Sequence, residues 1–438
     1  MRILIISPKY PPANAADIHR VRMLVPHLVD LGVHVEVLCI DPNHTQCPQD
    51  SWLANGMPPE VIVHPVLPLR GLWRKIPGLG GLGFRSLNAL RREGDRLLKA
   101  RKFDLIFFSS TVFEIQILGS YWQRKFGVPF VLDYQDPWVN DYYREHPHLI
   151  PPGGRIKFAG MDLVHRWMEP RVLRHCAGII SVSPAYPPQI AARYPWLPAM
   201  PTLIQPFPGD ERDLLRVREE GITQNYFDPN DGKIHWVYAG VIHPAMKPTI
   251  RALFTAMRNH GTPELLNNLQ LHFIGTNYGS GKHATYQVVP VANEFGFGSL
   301  INEYPERIAM STVLVCLQDA SALMVLGTND PGYTASKIYP YLLTRKPLLV
   351  GFHKSSSIHT LLAKVGGAVP LAFDDTTTTE ELADLMYEYW VADKQYANPR
   401  RVNEEAFRPY TAKAQAEELL TFFGAALESW HGNSARQP

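Results

Sequence analysis

Between Asn329 and Val350 a Gly/Pro-containing loop runs into a short helical pattern and brings Asp330, Tyr333, Thr334, Ser336 and Lys337 close together in sequence. An apolar strand ending near Leu326 feeds this loop, and the pattern predicts a helix start at Thr334 or Ser336. Amides at a helix start attract anions, so with two hydroxyls and the Lys337 ammonium they make a pocket suited to a diphosphate. The competing reading makes Thr334 and Ser336 plain helix caps and Lys337 a solvated residue. A second group lies in the first half. Asp133 and Asp136 end a strand, the latter in a stiff Asp-Pro-Trp turn, where a carboxylate can orient a hydroxyl or accept its proton. A turn-capping aspartate is the alternative there. Arg20 and Arg22 sit just inside the helix after the first loop, as anion ligands or as solvated side chains.

The elements that must position these residues alternate between strand and helix patterns, as in parallel α/β layers. Strands are predicted at Ile3–Ile6, Val33–Ile40, Val61–Val66, Asp104–Phe108, Phe130–Leu132, Gly178–Val182 and Thr202–Gln205. Helical patterns intervene near 87–101, 113–126 and 162–175. Composition turns polar over 207–233, which reads as a connection between domains 1–206 and 234–408. The alternation then restarts with strands His235–Tyr238, Leu271–Ile274, Leu323–Leu326, Pro347–Gly351 and Ala368–Ala372. Helices are predicted at 249–259, 305–318, 335–343 and 358–364. A final helix within 409–438, after the Pro409 break, is expected to cross back to the first domain.

At 438 residues the chain exceeds one ordinary core, and a net charge of +2 calls for no polyanionic partner. Four scattered cysteines form neither a disulfide framework nor a zinc pattern. The N-terminal apolar run is too short for a signal peptide, and no apolar run is long enough to span a membrane, so a cytoplasmic location is expected. Gly78–Gly83 matches a dinucleotide fingerprint in letters, but no core strand leads into it. Gly279-Ser280-Gly281-Lys282 lacks both the leading glycine and the hydroxyl of a P-loop, although it follows a strand ending at Gly275 and is expected to line a ligand cleft. His146 and His148 lack zinc-site spacing. No nucleic-acid-binding module is present. Residues 70–102 hold ten Arg or Lys against Glu93 and Asp95, interleaved with apolar residues. That suits peripheral contact with an anionic membrane, or simply a charged soluble helix.

Ser336-Lys337-Ile338-Tyr339-Pro340-Tyr341-Leu342, followed by Arg345-Lys346-Pro347-Leu348-Leu349, resembles the donor-site signature of the GT-B retaining glycosyltransferases of family four. Ser7–Pro12, Val128–Trp138, Gly178–Pro184, Val237–Gly240 and Leu271–Thr276 resemble other landmarks of that family, in the same order, across nearly the whole chain. The resemblance implies two Rossmann-like α/β/α domains facing across a cleft. The C-terminal domain would bind a nucleotide sugar, UDP- or GDP-linked, and the N-terminal domain its acceptor. It also implies retention at the anomeric carbon without a bound metal.

Departures from the family pattern are specific. The two glutamates expected around the loop and helix are Gly332 and Pro340, leaving Asp330 as the candidate carboxylate. Val241 stands where an arginine is expected, and Lys247 about where a lysine is. Asn14-Ala15-Ala16 replaces a glycine pair, and the catalytic-side histidine aligns with Gln135 or Asp136. The expected roles are thus Asp136 and Asp133 for catalysis, and Lys247, Gly275, Asp330, Tyr333, Thr334, Ser336 and Lys337 for the donor. Asn14, Arg20 and Arg22 are expected on the acceptor or phosphate side. The function expected is transfer of a hexose to a glycan or lipid-linked glycan in surface polysaccharide assembly, at the inner face of a membrane. A nucleotide-sugar epimerase and a catalytically silent binding protein of the same fold are the alternatives.

Overall fold

The computed structural model describes residues 1–71, 73, 80–145, 151, 154–277, 285–330, 333 and 335–434. The chain divides into two compact units, Met1–Phe207 with Ala412–Pro438, and Pro208–Thr411.

The first unit is built on a parallel sheet of β1 (Arg2–Ile6), β2 (His34–Ile40), β3 (Ile62–Val66), β4 (Leu105–Ser109), β5 (Phe130–Tyr134), β6 (Gly178–Ser181) and β7 (Thr202–Ile204), in the order β3-β2-β1-β4-β5-β6-β7. Strands covered on both faces read as unbroken apolar runs, which is how Ile3–Ile6 and Leu105–Phe108 read. Alternate residues then supply two cores. Ile3, Ile5, Val37 and Phe107 pack with Leu24 and Val25 of helix His19–Asp30 and with Phe423 of the last helix. Leu4, Ile6, Phe108 and Leu132 pack with Leu90, Leu97 and Trp122 on the other face. The last helix, Ala412–Ser434, belongs to this first unit, and the Phe107 and Phe423 rings meet edge-on at 5.2 Å.

The second unit holds β8 (Ile234–Ala239), β9 (Leu269–Ile274), β10 (Ile301–Tyr304), β11 (Ala322–Leu326), β12 (Leu348–His353) and β13 (Pro370–Phe373), in the order β10-β9-β8-β11-β12-β13. Both sheets therefore reverse direction of winding beside their first strand, between β1 and β4 and between β8 and β11. In open α/β sheets such a reversal leaves a crevice at the strands' carboxyl ends, and ligands bind there.

Several elements differ from the sequence reading. Edge strand β10 was not anticipated, and the following helix is Met310–Asp319 rather than starting at Pro305. The polar segment 207–233 is not all connection. It contains helix Glu211–Glu219, capped by the Asp210 side chain and tied to the second unit where Gln318 Nε2 donates to the Leu214 carbonyl at 3.1 Å. The helix after the diphosphate-like loop begins only at Ile338 and has six residues, Ile338–Leu343. The amides of Ala335 and Ser336 thus precede it, and a helix this short lends them little dipole.

Candidate functional site

In the first unit, the chemistry collects at the carboxyl ends of β1, β4 and β5. The loop after β1 brings Lys9 and the buried Asp17 together, Lys9 Nζ lying 3.2 Å from both Asp17 carboxylate oxygens. Ser110 Oγ and Thr111 Oγ1, just past β4, donate to Asp17 Oδ2 at 3.3 and 3.1 Å. Asp136 is open to solvent beside this cluster. Crowding by surrounding protein and the like charge of Asp17 push its carboxyl up to about 6, with Lys9 pulling the other way. A carboxylate reachable from solvent and titrating near neutrality is suited to exchanging a proton with a hydroxyl.

Asp133 and Arg20 have a different surrounding. Both are fully buried, and Arg20 Nε donates to Asp133 Oδ2 at 2.7 Å. Ser109 Oγ and Gln135 Nε2 donate to the same oxygen, each at 2.8 Å. Arg20 also donates to the Gln205 side chain and carbonyl and lies over the Phe207 ring. The two charges neutralise each other beneath the strand ends instead of standing open. Arg22 is buried against its own helix, with Nε 3.4 Å from His19 Nδ1, and Asn14 is buried with its amide on the Pro48 carbonyl.

In the second unit, β8 ends at Gly240, whose φ of +129° is a backbone state that side chains disfavour. The glycine has a packing reason as well. A Cβ there would lie 2.6 Å from Lys337 Nζ. That ammonium rests over the Tyr238 ring, 4.1 Å from its centroid, and donates to Tyr238 Oη at 2.8 Å. It has no carboxylate partner among the described residues. Burial pulls its pKa down to about 7. His243, in the same loop, is also lowered, by burial and then by the charge of Lys337. The Lys337 backbone is held by the helix it precedes. There Tyr341 Oη donates to the Ala239 carbonyl and accepts from the Ala239 amide, tying that helix to the end of β8.

Around this lysine the other expected residues are spread unevenly. Thr249 Oγ1 donates to the Gly327 carbonyl at 3.0 Å, closing the β8–β11 crevice. Gly275, with φ +69°, turns the chain at the end of β9. Tyr333 stacks on Phe352 with centroids 6.0 Å apart, and its carbonyl accepts from Ser356. The Asp330 amide is held by Thr328 Oγ1, Ser336 is half-buried in the turn before the helix, and Lys247 is exposed at the first turn of helix Lys247–His260. Thr334, Gly332, Gly279–Gly281, Lys282, His146 and His148 lie outside the described residues. Among the described residues no group of three or more His, Cys, Asp or Glu side chains is placed to hold a metal ion.

Sequence reasoning missed Asp17, Lys9, Ser110 and Thr111. A signal was available for three of them: Lys9, Ser110 and Thr111 stand just after predicted strands, whereas Asp17 lies further on, in the short helical turn Ala16–Ile18. Of the basic 70–102 stretch, helix Leu82–Ala100 turns Leu90, Leu97 and Leu98 into the core, and Arg85 is spent on the Gly80 and Leu69 carbonyls. Trp73 is its exposed large apolar residue among those described, while Leu72, Ile76 and Leu79 lie outside them.

Known proteins supply the remaining observation. Residues 18–203 match the model of the glycosyl transferase 4-like domain. The match spans less than half of the chain, so it is a likeness of this segment to that family. No curated protein matches the chain in sequence. Among solved structures, the UDP-forming α,α-trehalose-phosphate synthase of Burkholderia xenovorans superposes with a TM-score of 0.63 at 12% identity, over 96% of this chain and 98% of that one. Sucrose-phosphate synthase from Thermosynechococcus elongatus gives 0.57 at 16% identity, over 100% and 98%. Anabaena HepE in complex with UDP-glucose gives 0.57 at 12% identity, over 99% and 100%. At such identities the likeness speaks for the fold, which is that of the GT-B glycosyltransferases.

Proposed function

We propose that this glycosyltransferase-like chain moves a sugar, most simply a hexose, from a nucleotide sugar to a glycan or lipid-linked glycan. The second unit would bind the donor and the first the acceptor. The observation that carries the reading is Lys337, a half-buried ammonium at the β8–β11 crevice that has no carboxylate partner among the described residues and lies against Gly240. A diphosphate is the anion that such a position fits. Anabaena HepE was solved with UDP-glucose and with UDP and glucose, which favours a UDP-sugar over a GDP-sugar as the first donor to test.

In the transfer, the anomeric C–O bond breaks and its electron pair leaves on the diphosphate, while the acceptor oxygen forms the new bond. Lys337, with Lys247 beside the same crevice, would stabilise the charge growing on the leaving group. Asp136 would take the acceptor proton, with Asp17 and Lys9 setting its basicity. Arg20 and Asp133 would hold the strand ends in place. Gly275, Asp330, Tyr333, Thr334 and Ser336 are proposed as lining for the donor, and Asn14 and Arg22 as support on the acceptor side. Retention, a role in surface polysaccharide assembly, and work at the inner face of a membrane without a metal belong to the same proposal. Pro340, inside the helix where a glutamate is usual, favours a second reading as a silent nucleotide-sugar binder.

A thermal-shift screen of UDP, GDP, ADP, dTDP and CMP and their sugars tests the donor site. A ligand at a hundredfold excess over Kd stabilises by about 2.7 kcal/mol. One selective shift, absent in Lys337→Ala, is expected. Product analysis with that donor then separates transfer from binding alone.

A further inference from the structure

Helix Arg155–Leu173 presents an unusual outward face. Ile156 is 93% exposed, Leu163 70% and Trp167 53%, at spacings that place them on one stripe of the helix. Isolated exposed leucines need no explanation, but an apolar stripe rimmed by one sign of charge does. The exposed charged residues on and just after this helix are Arg155, Lys157, Arg171 and Arg174, all cations. Both acidic residues of the helix turn inward. Asp162 is buried and pairs with Arg166 at 2.9 Å and Arg144 at 2.6 Å. Glu169 is fully buried and accepts from Tyr194 Oη at 2.8 Å and Tyr134 Oη at 3.2 Å.

The stripe continues past the helix. Arg171 lies over the Trp167 ring at 4.3 Å, and Arg174 lies over Trp196 at 4.8 Å, the latter ring 51% exposed in the following loop. Aromatic rings, aliphatic tips and arginines thus follow one another along the stripe, with the helix's own two carboxylates withdrawn behind them. No helix among the described residues is long and apolar enough to cross a membrane, so this face lies on a surface if it meets lipid at all.

We propose that the outer face of helix Arg155–Leu173, extended by Trp196, docks on an anionic lipid surface. Charge selects this occupant. Cations without interspersed acids suit anionic headgroups, while tryptophan and aliphatic tips suit the boundary below them. This surface is distinct from the basic 70–102 stretch and stands independently of any donor chemistry.

The experiment is co-sedimentation of the full chain with vesicles of phosphatidylcholine, and with vesicles in which a third of the lipid is phosphatidylglycerol. Binding to the anionic vesicles is expected, with a blue shift of tryptophan emission and weakening in added salt. Each exposed cation contributes about fivefold to partitioning, and each apolar tip up to about tenfold. Leu163→Ser with Trp167→Ser is therefore expected to reduce binding by roughly a hundredfold, and Arg171→Ala with Arg174→Ala by about twenty-five-fold. All four side chains are exposed, so unchanged circular dichroism and melting should accompany these losses. The proposal is overturned if the wild-type chain ignores both vesicles, or if the double variants bind as well as it does. It is also overturned if light scattering shows self-association that Leu163→Ser with Trp167→Ser abolishes, because the face would then be a protein interface.

Discussion

The titration of Lys337 offers the sharpest test of the donor site. Its pKa is drawn down to about 7 by burial, with no carboxylate among the described residues to oppose the shift. A bound diphosphate would supply the missing negative charge and return the lysine towards its ordinary value near 10.5. Binding must then take up a proton whenever the free lysine is neutral. With a free value near 7, the charged fraction falls from about ten elevenths at pH 6 to about one eleventh at pH 8. Affinity for a UDP-sugar should therefore drop about tenfold between those pH values, with about 0.9 proton absorbed per ligand at pH 8. A nucleotide sugar is preferable to UDP itself because its diphosphate is a diester and does not titrate in this range. His243 is lowered from 6.5 by burial and by the charge of Lys337, which moves its own titration towards the acid side. Calorimetry at pH 8 in two buffers of different ionisation enthalpy reads the proton directly. Lys337→Gln should bind weakly at every pH, with no buffer dependence. A wild-type affinity flat from pH 6 to 8, or proton release on binding, would refute the assignment of this lysine to the diphosphate. For the ligand-free protein the sign is opposite: a lysine depressed on folding opposes folding below about 7, so its contribution to stability rises with pH from 7 towards 10.5.

Four further outcomes follow from the same geometry. Gly240→Ala places a Cβ 2.6 Å from Lys337 Nζ in a disfavoured backbone state, so a loss of about 1–3 kcal/mol and weaker nucleotide binding are expected in denaturant and thermal-shift titrations. Asp136→Asn should lower transfer roughly 10²–10⁴-fold while nucleotide affinity is kept. In the wild type, kcat/KM should rise with pH through about 6, the value of that carboxyl, and an unchanged rate in the variant would remove Asp136 from the chemistry. Asp133→Ala strands the buried Arg20 charge and should cost about 3–5 kcal/mol, most of it recovered when Arg20→Met is added; denaturant unfolding of both variants checks this. Pro340→Glu should make Lys337 more basic, so proton uptake on binding a UDP-sugar at pH 8 should shrink in the same calorimetric assay.

How much of this was legible in the sequence depended on what each residue packs against. Most strands are buried and announced themselves as apolar runs; twelve positions could be read from Ile3 to Ala372, the exposed edge strands β3 and β7 among them. Strand β10 escaped because its middle residue is Glu303. That carboxylate turns inward and accepts from Thr276 Oγ1 and from the amides of Gln287, Val288 and Val289, a cluster whose members lie far apart in sequence. The Arg20–Asp133 pair was hidden for the same reason, its partners being 113 residues apart. Each looked like a free functional group until the fold joined them. Asp17 is the reverse case, an ordinary-looking loop aspartate that the reversal point between β1 and β4 makes central.

The replaced glutamates bear directly on Lys337. A glutamate at position 340 would follow the lysine by three residues, a spacing at which ion pairs form around a helical turn. It would hold the ammonium charged at all physiological pH values and leave little for a ligand's charge to change. Pro340 removes that partner, and its ring is tolerated because it falls in the first turn of helix Ile338–Leu343, where its missing N–H forfeits little. Among the described residues the lysine then has the Tyr238 hydroxyl and ring, which solvate a cation but do not neutralise it. Consequently proline at position 340, where the resembled family pattern has a glutamate, would also make the charge of Lys337 at the proposed donor site conditional on an incoming anion. Pro340→Glu separates these two effects. If it restores a fixed charge at Lys337 without raising transfer, the carboxylate's role in turnover and its role in setting the lysine's charge are distinct, and only the second is carried by position 340.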